Sequence, residues 1–402
     1  MRLSGRRYDT GEMVTVHIDG TIVSSIVPWE PDGTALGLGN GGEPWIAPGF
    51  VDLQVNGYGG QELTVSSLTV DEVAQLSVAL DAIGITGYCP TVTTHAVEIL
   101  LHALRTIAAA CQSSSDVARR VAGIHLEGPY LSREEGPRGA HQREHCRPPD
   151  WDEFQRLQEA ADGQIRILTM SPEFDRSHRF ISRVVDSGVI VAIGHTAADS
   201  VQIKAAVDAG ARLSTHLGNG SHRQLRRHPN YIWDQLADDR LMASLIVDGH
   251  HLPAEVVKTF VRAKTPERSL LVSDITGLAG MPPGRYDDTS SSPVEVLTDG
   301  RLVVAGQDQI LAGASLPIGV GVANVMRFAN VDLKTAVEMA STRPAQFIGY
   351  PAGQLAEGAA ADLIQFELPG ADGRGDLEEL TVGAVVNRGE LVYGLPWHPA
   401  PQ

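Results

Sequence analysis

Cysteine is scarce in this chain, which has only Cys89, Cys111 and Cys146 among its 402 residues. Their spacing fits neither a metal motif nor a disulfide framework, and an odd, sparse set is typical of a reduced cytoplasmic protein. Long apolar runs are also missing, so the sequence predicts no transmembrane helix. Residues 1–20 lack the contiguous apolar stretch that a secretory signal needs. These absences favour a cytoplasmic protein and leave its chemistry open.

Positive charge is in deficit as well. Lys and Arg total 32 against 49 Asp and Glu, which gives a formal net charge of −17. Such a balance argues against nucleic acid or an anionic membrane as a partner, because the electrostatic contribution to binding would be repulsive. The hydrophobic fraction of 43% and the charged fraction of 20% are typical of an ordinary globular protein. This length predicts one large domain and a small one.

Short β-rich runs recur eight times, and most of them end in polar or Gly-rich residues before a helical stretch begins. Residues 69–72 form a capping-box pattern, and residues 199–209 have apolar positions at helical spacing before Gly210. Strands that alternate with helices predict a parallel sheet, and eight such units predict a (β/α)8 barrel. The runs span residues 50–56, 85–94, 121–129, 165–173, 189–196, 212–220, 243–251 and 269–277.

The two ends of the chain follow a different pattern. Residues 14–27 alternate between apolar and polar around Asp19-Gly20, which is a hairpin signal, and residues 354–366 and 382–393 are again strand-like. The sequence therefore predicts a small β-sandwich domain built from both termini and flanking the barrel. The predicted boundaries are 1–47 and 351–402 for the sandwich and 48–350 for the barrel.

In a barrel of this kind, catalytic groups lie at the C-terminal ends of the strands. The third run carries Glu127 near its end, the fifth His195 and the sixth His216. A carboxylate and two imidazoles predict a three-ligand site for a divalent metal, with an open position for the water of a hydrolase. Asp274, from the eighth run, is placed to take a proton from that water and pass it to a leaving amine. Either histidine alone could simply cap a loop, but four such residues at catalytic strand ends favour a site.

A family resemblance rests on further motifs. Pro48-Gly49-Phe50-Val51-Asp52, followed by Gln54 and Asn56-Gly57, resembles the first-strand signature of the amidohydrolase superfamily, in which most members have His-x-His where this chain has Gln-x-Asn. The Gln-x-Asn form, with His-Leu-Glu-Gly-Pro on the third strand, resembles the N-acetylglucosamine-6-phosphate deacetylases. The resemblance covers essentially the whole chain and includes Gly194-His195-Thr196, Thr215-His216-Leu217, Asp248-Gly249-His250-His251, Val272-Ser273-Asp274, Leu311-Ala312-Gly313-Ala314-Ser315 and Thr342-Arg343-Pro344-Ala345.

This resemblance implies hydrolysis of the acetamide of an N-acetyl amino-sugar 6-phosphate at a single metal held by Glu127, His195 and His216. The residues of the first strand agree, because amides are far poorer ligands than imidazole for a zinc-like ion. Gln54 and Asn56 therefore predict no second metal, and we expect them to contribute to substrate binding. Zinc suits two nitrogens and a carboxylate best, although iron, cobalt or manganese could occupy the same ligands.

The resemblance also implies roles for two other histidines. His141, in Gly139-Ala140-His141, matches a histidine that helps to polarise the substrate carbonyl, which is an oxyanion-type role. His251 matches a histidine that contacts the sugar phosphate. The alternatives are a surface-loop residue for His141 and a packed strand-end residue for His251.

The chain departs from the family pattern after His216, where members usually read Leu-Phe-Asn-Ala-Met. Here the sequence is Leu217-Gly218-Asn219-Gly220-Ser221. In the family, the backbone amides at the positions of Asn219 and Gly220 help to hold the phosphate. Two glycines predict a more open and flexible loop, so the departure affects the substrate and not the amide chemistry.

The densest basic cluster, residues 222–228, follows this loop. Arg227 matches an arginine that reaches the phosphate from the neighbouring subunit in the family, so the resemblance implies a homodimer. Arginine supplies bidentate donors to phosphate, which agrees with that role. The alternative is a solvated or interface loop that binds no ligand.

Three other interpretations of function stay open. One keeps the chemistry but changes the substrate to an unphosphorylated or differently decorated N-acyl amino sugar or amine. Another is a ring-opening hydrolase or deaminase of a different superfamily branch, and the Gln-x-Asn first strand disfavours the two-metal members of those branches. The third is a non-catalytic sugar-binding barrel, which would not need an open metal site beside a base such as Asp274.

Overall fold

The computed structural model describes residues 1–30, 43–287, 293–373 and 376–396. Strands and helices alternate through the middle of the chain, whereas both ends contain strands. The strands are β1 (Arg2–Arg7), β2 (Met13–Asp19), β3 (Ile22–Pro28), β4 (Trp45–Pro48), β5 (Phe50–Val55), β6 (Gly57–Tyr58), β7 (Gln61–Glu62), β8 (Ile85–Thr93), β9 (Ile124–Glu127), β10 (Ile165–Met170), β11 (Ile190–Ile193), β12 (Leu213–Ser214), β13 (Met242–Leu245), β14 (Ser269–Leu271), β15 (Gly284–Tyr286), β16 (Val294–Val296), β17 (Leu302–Val304), β18 (Gln307–Leu311), β19 (Leu363–Glu367), β20 (Thr381–Asn387) and β21 (Glu390–Gly394). The helices are α1 (Val70–Ala79), α2 (Val97–Ser113), α3 (Ser115–Ala118), α4 (Trp151–Ala160), α5 (Ser177–Asp186), α6 (Ser200–Asp208), α7 (Tyr231–Ala237), α8 (Ala254–Lys264), α9 (Ile318–Ala329), α10 (Leu333–Ala340) and α11 (Thr342–Ile348), with 3-10 turns at Leu80–Ile83 and Pro266–Arg268.

Eight parallel strands form the barrel, in the order β5-β8-β9-β10-β11-β12-β13-β14. Each strand overlaps one of the eight runs predicted from the sequence. The first and last strands close the barrel, because the amide of Asp274 donates to the carbonyl of Gln54 at 3.0 Å and the amide of Asn56 donates to that of Ile275 at 2.8 Å. The predicted (β/α)8 barrel is therefore confirmed.

Local sequence signals explain where the barrel elements begin and end. Thr69 and Glu72 form the predicted capping box ahead of α1, with backbone-to-side-chain bonds of 3.2 and 2.7 Å. All six residues of β5 are buried, as expected for a parallel strand that the barrel interior and a surrounding helix layer cover on both faces. Among the described residues, no helix is long and apolar enough to cross a membrane.

The two ends of the chain meet in one seven-stranded sheet, in the order β21-β20-β19-β4-β1-β2-β3. The β1–β4 pair is parallel and the other pairs are antiparallel. The predicted hairpin at Asp19-Gly20 joins β2 to β3, and Gly20 has the positive φ of 55° that such a turn favours. Since β4 ends only two residues before β5 begins, the sheet adjoins the first barrel strand. Residues 31–42 of the predicted N-terminal segment lie outside the described residues.

A small antiparallel sheet, β15-β16-β17-β18, lies between the last barrel strand and α9. None of the strand-like runs predicted from the sequence covers this region. Val294, Val296 and Leu302 form the core of its own apolar cluster, packed against Leu278 and Tyr286. Three of its strands have only three residues, which is too short for a recognisable period-2 pattern.

Candidate active site

A cavity of about 630 Å³ opens at the C-terminal ends of the barrel strands. This is the face on which barrels of this type carry their functional groups. Most of the residues predicted from the sequence meet there. Its lining includes Asn56, Glu62, His95, Glu127, His141, His195, Asn219, Gly220, Arg223, His251 and Asp274, together with His216 at the base.

Three side chains converge at the base of this cavity. Glu127 ends β9, while His195 and His216 each follow a barrel strand by two residues. The Oε1 atom of Glu127 lies 3.1 Å from the Nε2 atom of each histidine, and the two Nε2 atoms are 3.1 Å apart. All three residues are buried. The structure therefore brings the predicted ligand set together.

The chemistry of this donor set fits a divalent metal. The Nδ1–H of His195 donates to the carbonyl of Pro137 at 2.9 Å, which leaves a lone pair on Nε2 and directs it towards Glu127. A carboxylate oxygen and imidazole nitrogens at these separations resemble one face of a tetrahedral site, whose edges are about 3.3 Å for bonds of about 2.0 Å. The neighbouring His195 and His216 outweigh the effect of burial and lower the pKa of Glu127 well below its usual value. The group is therefore an anion that can accept a cation.

Backbone strain concentrates at the same place. His195, His216 and Asp274 have φ values of 49°, 27° and 56°, in the region that residues with a Cβ atom rarely adopt. Each of them follows a barrel strand, where the chain turns to direct its side chain into the cavity. Such strained positions persist where the surrounding structure holds them, and they cluster at functional sites.

Asp274 faces the centre from the last barrel strand. Asn56 donates its side-chain Nδ2–H to the Oδ1 atom of Asp274 at 2.7 Å. Burial and the nearby charge of Glu127 raise the pKa of Asp274 to about 6, and the Asn56 hydrogen bond opposes that rise. A carboxyl group with such a pKa can gain and lose a proton near neutral pH. A divalent cation beside Glu127 would favour its ionised form.

His141 also reaches this centre. Its Nε2 atom lies 3.2 Å from the Nε2 atom of His195 and 4.0 Å from the Oε1 atom of Glu127. These three residues place ligand atoms within 4.8 Å of one another. Its side chain is only 9% exposed and lines the cavity. Burial, and then the charge of His195, lower the pKa of His141 to about 3, which keeps its imidazole neutral.

The loop after β12 forms another wall of the cavity, to which Asn219, Gly220 and Arg223 contribute. Gly220 has a φ of 54°, and a Cβ atom there would come within 2.7 Å of the Nδ1 atom of His195. Glycine at this position, where the chain departs from the family pattern, therefore avoids a steric clash with His195. On the adjoining wall, the Nδ1–H of His251 donates to the Oδ2 atom of Asp248 at 2.7 Å, which orients the ring.

Two predicted residues do not line the cavity. Gln54 is buried behind it, with an exposed fraction of 1%, and its Nε2 atom has no hydrogen-bond partner among the described residues. Arg227 is exposed to solvent instead, and Arg223 is the arginine of the basic cluster that borders the cavity. Arg223 belongs to the basic cluster at residues 222–228, although the sequence predicted no individual role for it.

Sequence reasoning also missed Glu62 and His95. Glu62 ends the short hairpin β6–β7 and accepts a hydrogen bond from the amide of Gly277 at 3.0 Å. Burial raises the pKa of Glu62 to about 7. The Nδ1 atom of His95 accepts the amide of Ala96 at 2.8 Å, so its Nε2 atom carries the hydrogen. The position of His95, two residues after the end of β8, was the available signal, whereas the sequence around Glu62 offered none.

Comparisons with known proteins agree with this geometry. A model of the amidohydrolase family matches residues 45–392. The human N-acetylglucosamine-6-phosphate deacetylase is 32% identical over 87% of this chain and 83% of its own length. An N-acetylgalactosamine-6-phosphate deacetylase of Shewanella sp. (strain ANA-3) is also 32% identical, over the same shares. A solved structure of a variant N-acetyl-D-glucosamine-6-phosphate deacetylase from Mycobacterium smegmatis, in complex with N-acetyl-D-glucosamine-6-phosphate, superposes with a TM-score of 0.82, 31% identity and 94% coverage of both chains.

Proposed function

The chain belongs to the amidohydrolase family, and from that premise we propose that it hydrolyses N-acetylglucosamine-6-phosphate to glucosamine-6-phosphate and acetate. The observation that carries the proposal is the arrangement of Glu127, His195 and His216 around one point, with Asp274 beside them in the same cavity. The names of the relatives and the sugar phosphate in the M. smegmatis complex support this choice of substrate.

We assign Glu127, His195 and His216 as the ligands of one divalent metal, with zinc as the first choice and iron, cobalt or manganese as alternatives. When bound, the metal supplies Lewis acidity, which lowers the pKa of a water and polarises the acetamide carbonyl. The amides of Gln54 and Asn56 are poor ligands and do not add a second site.

Asp274 is the proposed general base and acid. Its carboxylate takes a proton from the attacking water and later delivers it to the nitrogen of the leaving amine. Asn56 fixes the orientation of the carboxylate through its 2.7 Å hydrogen bond. Because that bond favours the ionised carboxylate, Asn56 keeps Asp274 ready to accept a proton.

His141 is the proposed donor to the carbonyl oxygen of the substrate. Its low pKa makes it neutral, so one ring nitrogen carries a hydrogen, and its Nε2 atom lies at the proposed metal centre, 3.2 Å from Nε2 of His195. A neutral N–H held in a buried site can stabilise the negative charge that develops on that oxygen.

We propose that the backbone amides of Asn219 and Gly220, in the loop after β12, bind the phosphate together with His251 on the adjoining wall. Arg223 adds a positive charge at the cavity of the same subunit. Arg227, which is exposed and does not line this cavity, would serve the site of a neighbouring subunit in a homodimer. Trp233, Val201 and Leu225, with exposed fractions of 49%, 76% and 38%, supply apolar surface on the neighbouring helices α6 and α7 and on this loop.

A second candidate function keeps the amide chemistry and uses an unphosphorylated or differently decorated N-acyl amine. The position of Arg227 favours it, because this arginine does not line the cavity of its own chain. A monomeric enzyme would therefore lack one of the cations proposed for the phosphate.

One experiment tests both candidates. Acetate release is measured from N-acetylglucosamine-6-phosphate and from N-acetylglucosamine, with zinc-loaded and metal-stripped protein. Metal-dependent release from the phosphorylated sugar alone would establish the first function, and equal release from both sugars would establish the second. Release from neither sugar would overturn both.

We further propose a cytoplasmic location and no nucleic-acid or membrane partner. Cys89, Cys111 and Cys146 are free, which supports a reducing compartment. The net charge of −17 would repel both kinds of polyanionic surface.

A further inference from the structure

Two loops meet over the metal ligand His195. One follows β9 and carries His141, and the other follows β12 and lines the proposed phosphate side of the cavity. Ideal Cβ atoms at Gly139 and Gly220 would lie 3.1 Å from Cε1 and 2.7 Å from Nδ1 of His195. The imidazole ring of His195 is therefore held between the two loops.

A polar contact joins these loops at their outer ends. The Nε2 atom of His222, on the second loop, lies 3.0 Å from the Oε2 atom of Glu134, on the first. Beside it, Gly136 packs so closely against the backbone of His222 that a Cβ atom would come within 2.9 Å of the His222 Cα atom. The loops are thus tied by a side-chain bond next to a direct backbone contact.

His222 is oriented for this bond by Tyr231, the first residue of α7. The tyrosine hydroxyl accepts the backbone N–H of His222 at 2.9 Å and lies 2.9 Å from its Nδ1 atom. A neutral His222 satisfies every contact, because the hydroxyl donates to Nδ1 and the Nε2–H donates to Glu134. Tyr231 is itself buried, so it provides a fixed anchor.

Hydrogen bonds within the first loop connect Glu134 to the proposed catalytic groups. The amide of Arg138 donates to the carbonyl of Glu134 at 3.0 Å, and the guanidinium of Arg138 donates to the carbonyl of His141 at 2.6 Å. Between them, Pro137 accepts the Nδ1–H of His195. A short run of residues therefore connects Glu134 to the proposed carbonyl donor and to a proposed metal ligand.

We infer that the His222–Glu134 pair couples the second loop, which is proposed to bind the phosphate, to the first loop, which carries His141. Through this coupling, the energy of phosphate binding raises kcat. This inference rests on the proposed function, since it takes the loop after β12 as the phosphate site. Interactions remote from the reacting bond can be used in this way to position the reacting groups. Glu134 and His222 are positioning residues here, because neither touches the reacting atoms.

The test compares Glu134→Ala with the wild-type enzyme and with Glu135→Ala, which removes a neighbouring exposed carboxylate outside the pair. For the phosphorylated sugar we expect Glu134→Ala to lower kcat about two- to fivefold, the lower part of the range for a single hydrogen bond, with a smaller change in KM. The kcat for the unphosphorylated sugar and the Glu135→Ala enzyme should stay at their wild-type values. An equal fall in kcat on both sugars, or a rise in KM alone, would overturn the coupling.

Amide hydrogen exchange provides a readout that does not require turnover, using zinc-loaded protein with and without glucosamine-6-phosphate. In the wild type, the ligand should slow exchange in both segments, 132–141 and 217–228. In Glu134→Ala it should slow exchange only in 217–228. Equal protection of 132–141 in both proteins would refute the coupling. Absence of protection in 217–228 would instead refute the proposed phosphate site, and the inference with it.

Discussion

Asn56 and Asp274, which follow the first and last strands of the barrel, are joined by a 2.7 Å hydrogen bond from the side-chain amide to the carboxylate. The backbone N–H of Asn56 also donates to the carbonyl of Ile275, so the same residue helps to close the barrel and orients the proposed base. Where the first-strand signature of the superfamily commonly has a histidine ligand, this chain therefore has an asparagine that donates a hydrogen bond to Asp274.

Asn56→Ala should raise the pKa of Asp274, since it removes a donor to the ionised carboxylate. A carboxylate must be ionised to act as a base, so the acid limb of the kcat/KM profile should move to higher pH. We expect about a tenfold loss of kcat/KM at pH 6, because hydrogen bonds to charged groups contribute about 1.5–3 kcal/mol, and a smaller loss at pH 8. A uniform loss at every pH, with no shift of the limb, would contradict this role.

Asp274→Asn should abolish proton transfer while leaving the metal ligands in place. General acid–base groups contribute about 10²- to 10⁴-fold, so kcat should fall by at least about 10²-fold. Metal content, measured on the purified variant, should equal that of the wild type because Asp274 is not one of the three assigned ligands. Near-normal turnover would show that another group is the base, and loss of the metal would place Asp274 among the ligands.

The convergence of the site could be predicted because it follows from the architecture. The C-terminal ends of parallel barrel strands meet on one face, so polar residues at those ends, such as Glu127 and His216, had to lie close together. The proximity of these two residues, which are 3.1 Å apart in the structure, could be predicted without knowing the conformation of the loops. The departure at Gly220 was visible in the sequence, but its cause was not, because only the structure shows the ring of His195 beside it.

What the sequence could not predict depends on very short elements and on tertiary contacts. Glu62 belongs to a hairpin with two-residue strands, which is shorter than any recognisable period. Arg223 borders the cavity and Arg227 does not, and this depends on the three-dimensional path of the loop. No pattern within the loop itself contains that information.

Gly139→Ala should weaken metal binding. Gly139 has a φ of 58°, and the added methyl group would lie 3.1 Å from the Cε1 atom of His195. Gly163→Ala is the matched control, because Gly163 has a φ of 74° with nothing within 4 Å of the added atom. Both variants should lose about 1–2 kcal/mol of stability from the left-handed backbone.

Only the Gly139 variant should also bind zinc more weakly, which can be measured by competition with a chelator. The reason is that the crowded ring of His195 must shift, which disturbs the present 3.1 Å separation between its Nε2 atom and Oε1 of Glu127. Unchanged zinc affinity in Gly139→Ala would show that the ring tolerates the contact.

Glu62→Gln should change how stability depends on pH. Burial raises the pKa of Glu62 to about 7 in the folded protein, above its usual 4.5. The stability associated with its proton is therefore fully present below pH 4.5 and is lost as the pH rises through 7. Glutamine stays neutral and can still accept the amide of Gly277, so the variant should gain stability relative to the wild type as the pH rises.

Urea unfolding at pH 5 and pH 8 measures this effect. The difference in unfolding free energy between variant and wild type should grow by about 1–2 kcal/mol, less than the full shift implies because Glu62 is partly exposed and lines the open cavity. An equal difference at both pH values would mean that Glu62 is ionised throughout this range.

Arg227→Ala tests whether the phosphate site is shared between subunits. Arg227 is exposed and does not line the cavity of its own chain. If it reaches a neighbouring site, its loss should raise KM for the phosphorylated sugar about tenfold, as expected for removal of a charged donor, and leave the unphosphorylated sugar unaffected. Arg223→Ala, which removes the arginine at the cavity itself, provides the comparison.

Mixed dimers show whether the rise in KM comes from loss of Arg227 in the same chain or in the neighbouring subunit. Mixing Arg227→Ala with a large excess of Asp274→Asn places almost every Arg227→Ala subunit beside a partner that still has Arg227 but cannot turn over. The intact Asp274 site of the Arg227→Ala subunit then receives its arginine from that partner, so its KM should return to the wild-type value. A KM that stays high after mixing would mean that Arg227 acts within its own chain, and a monomeric protein in sedimentation experiments would exclude sharing altogether.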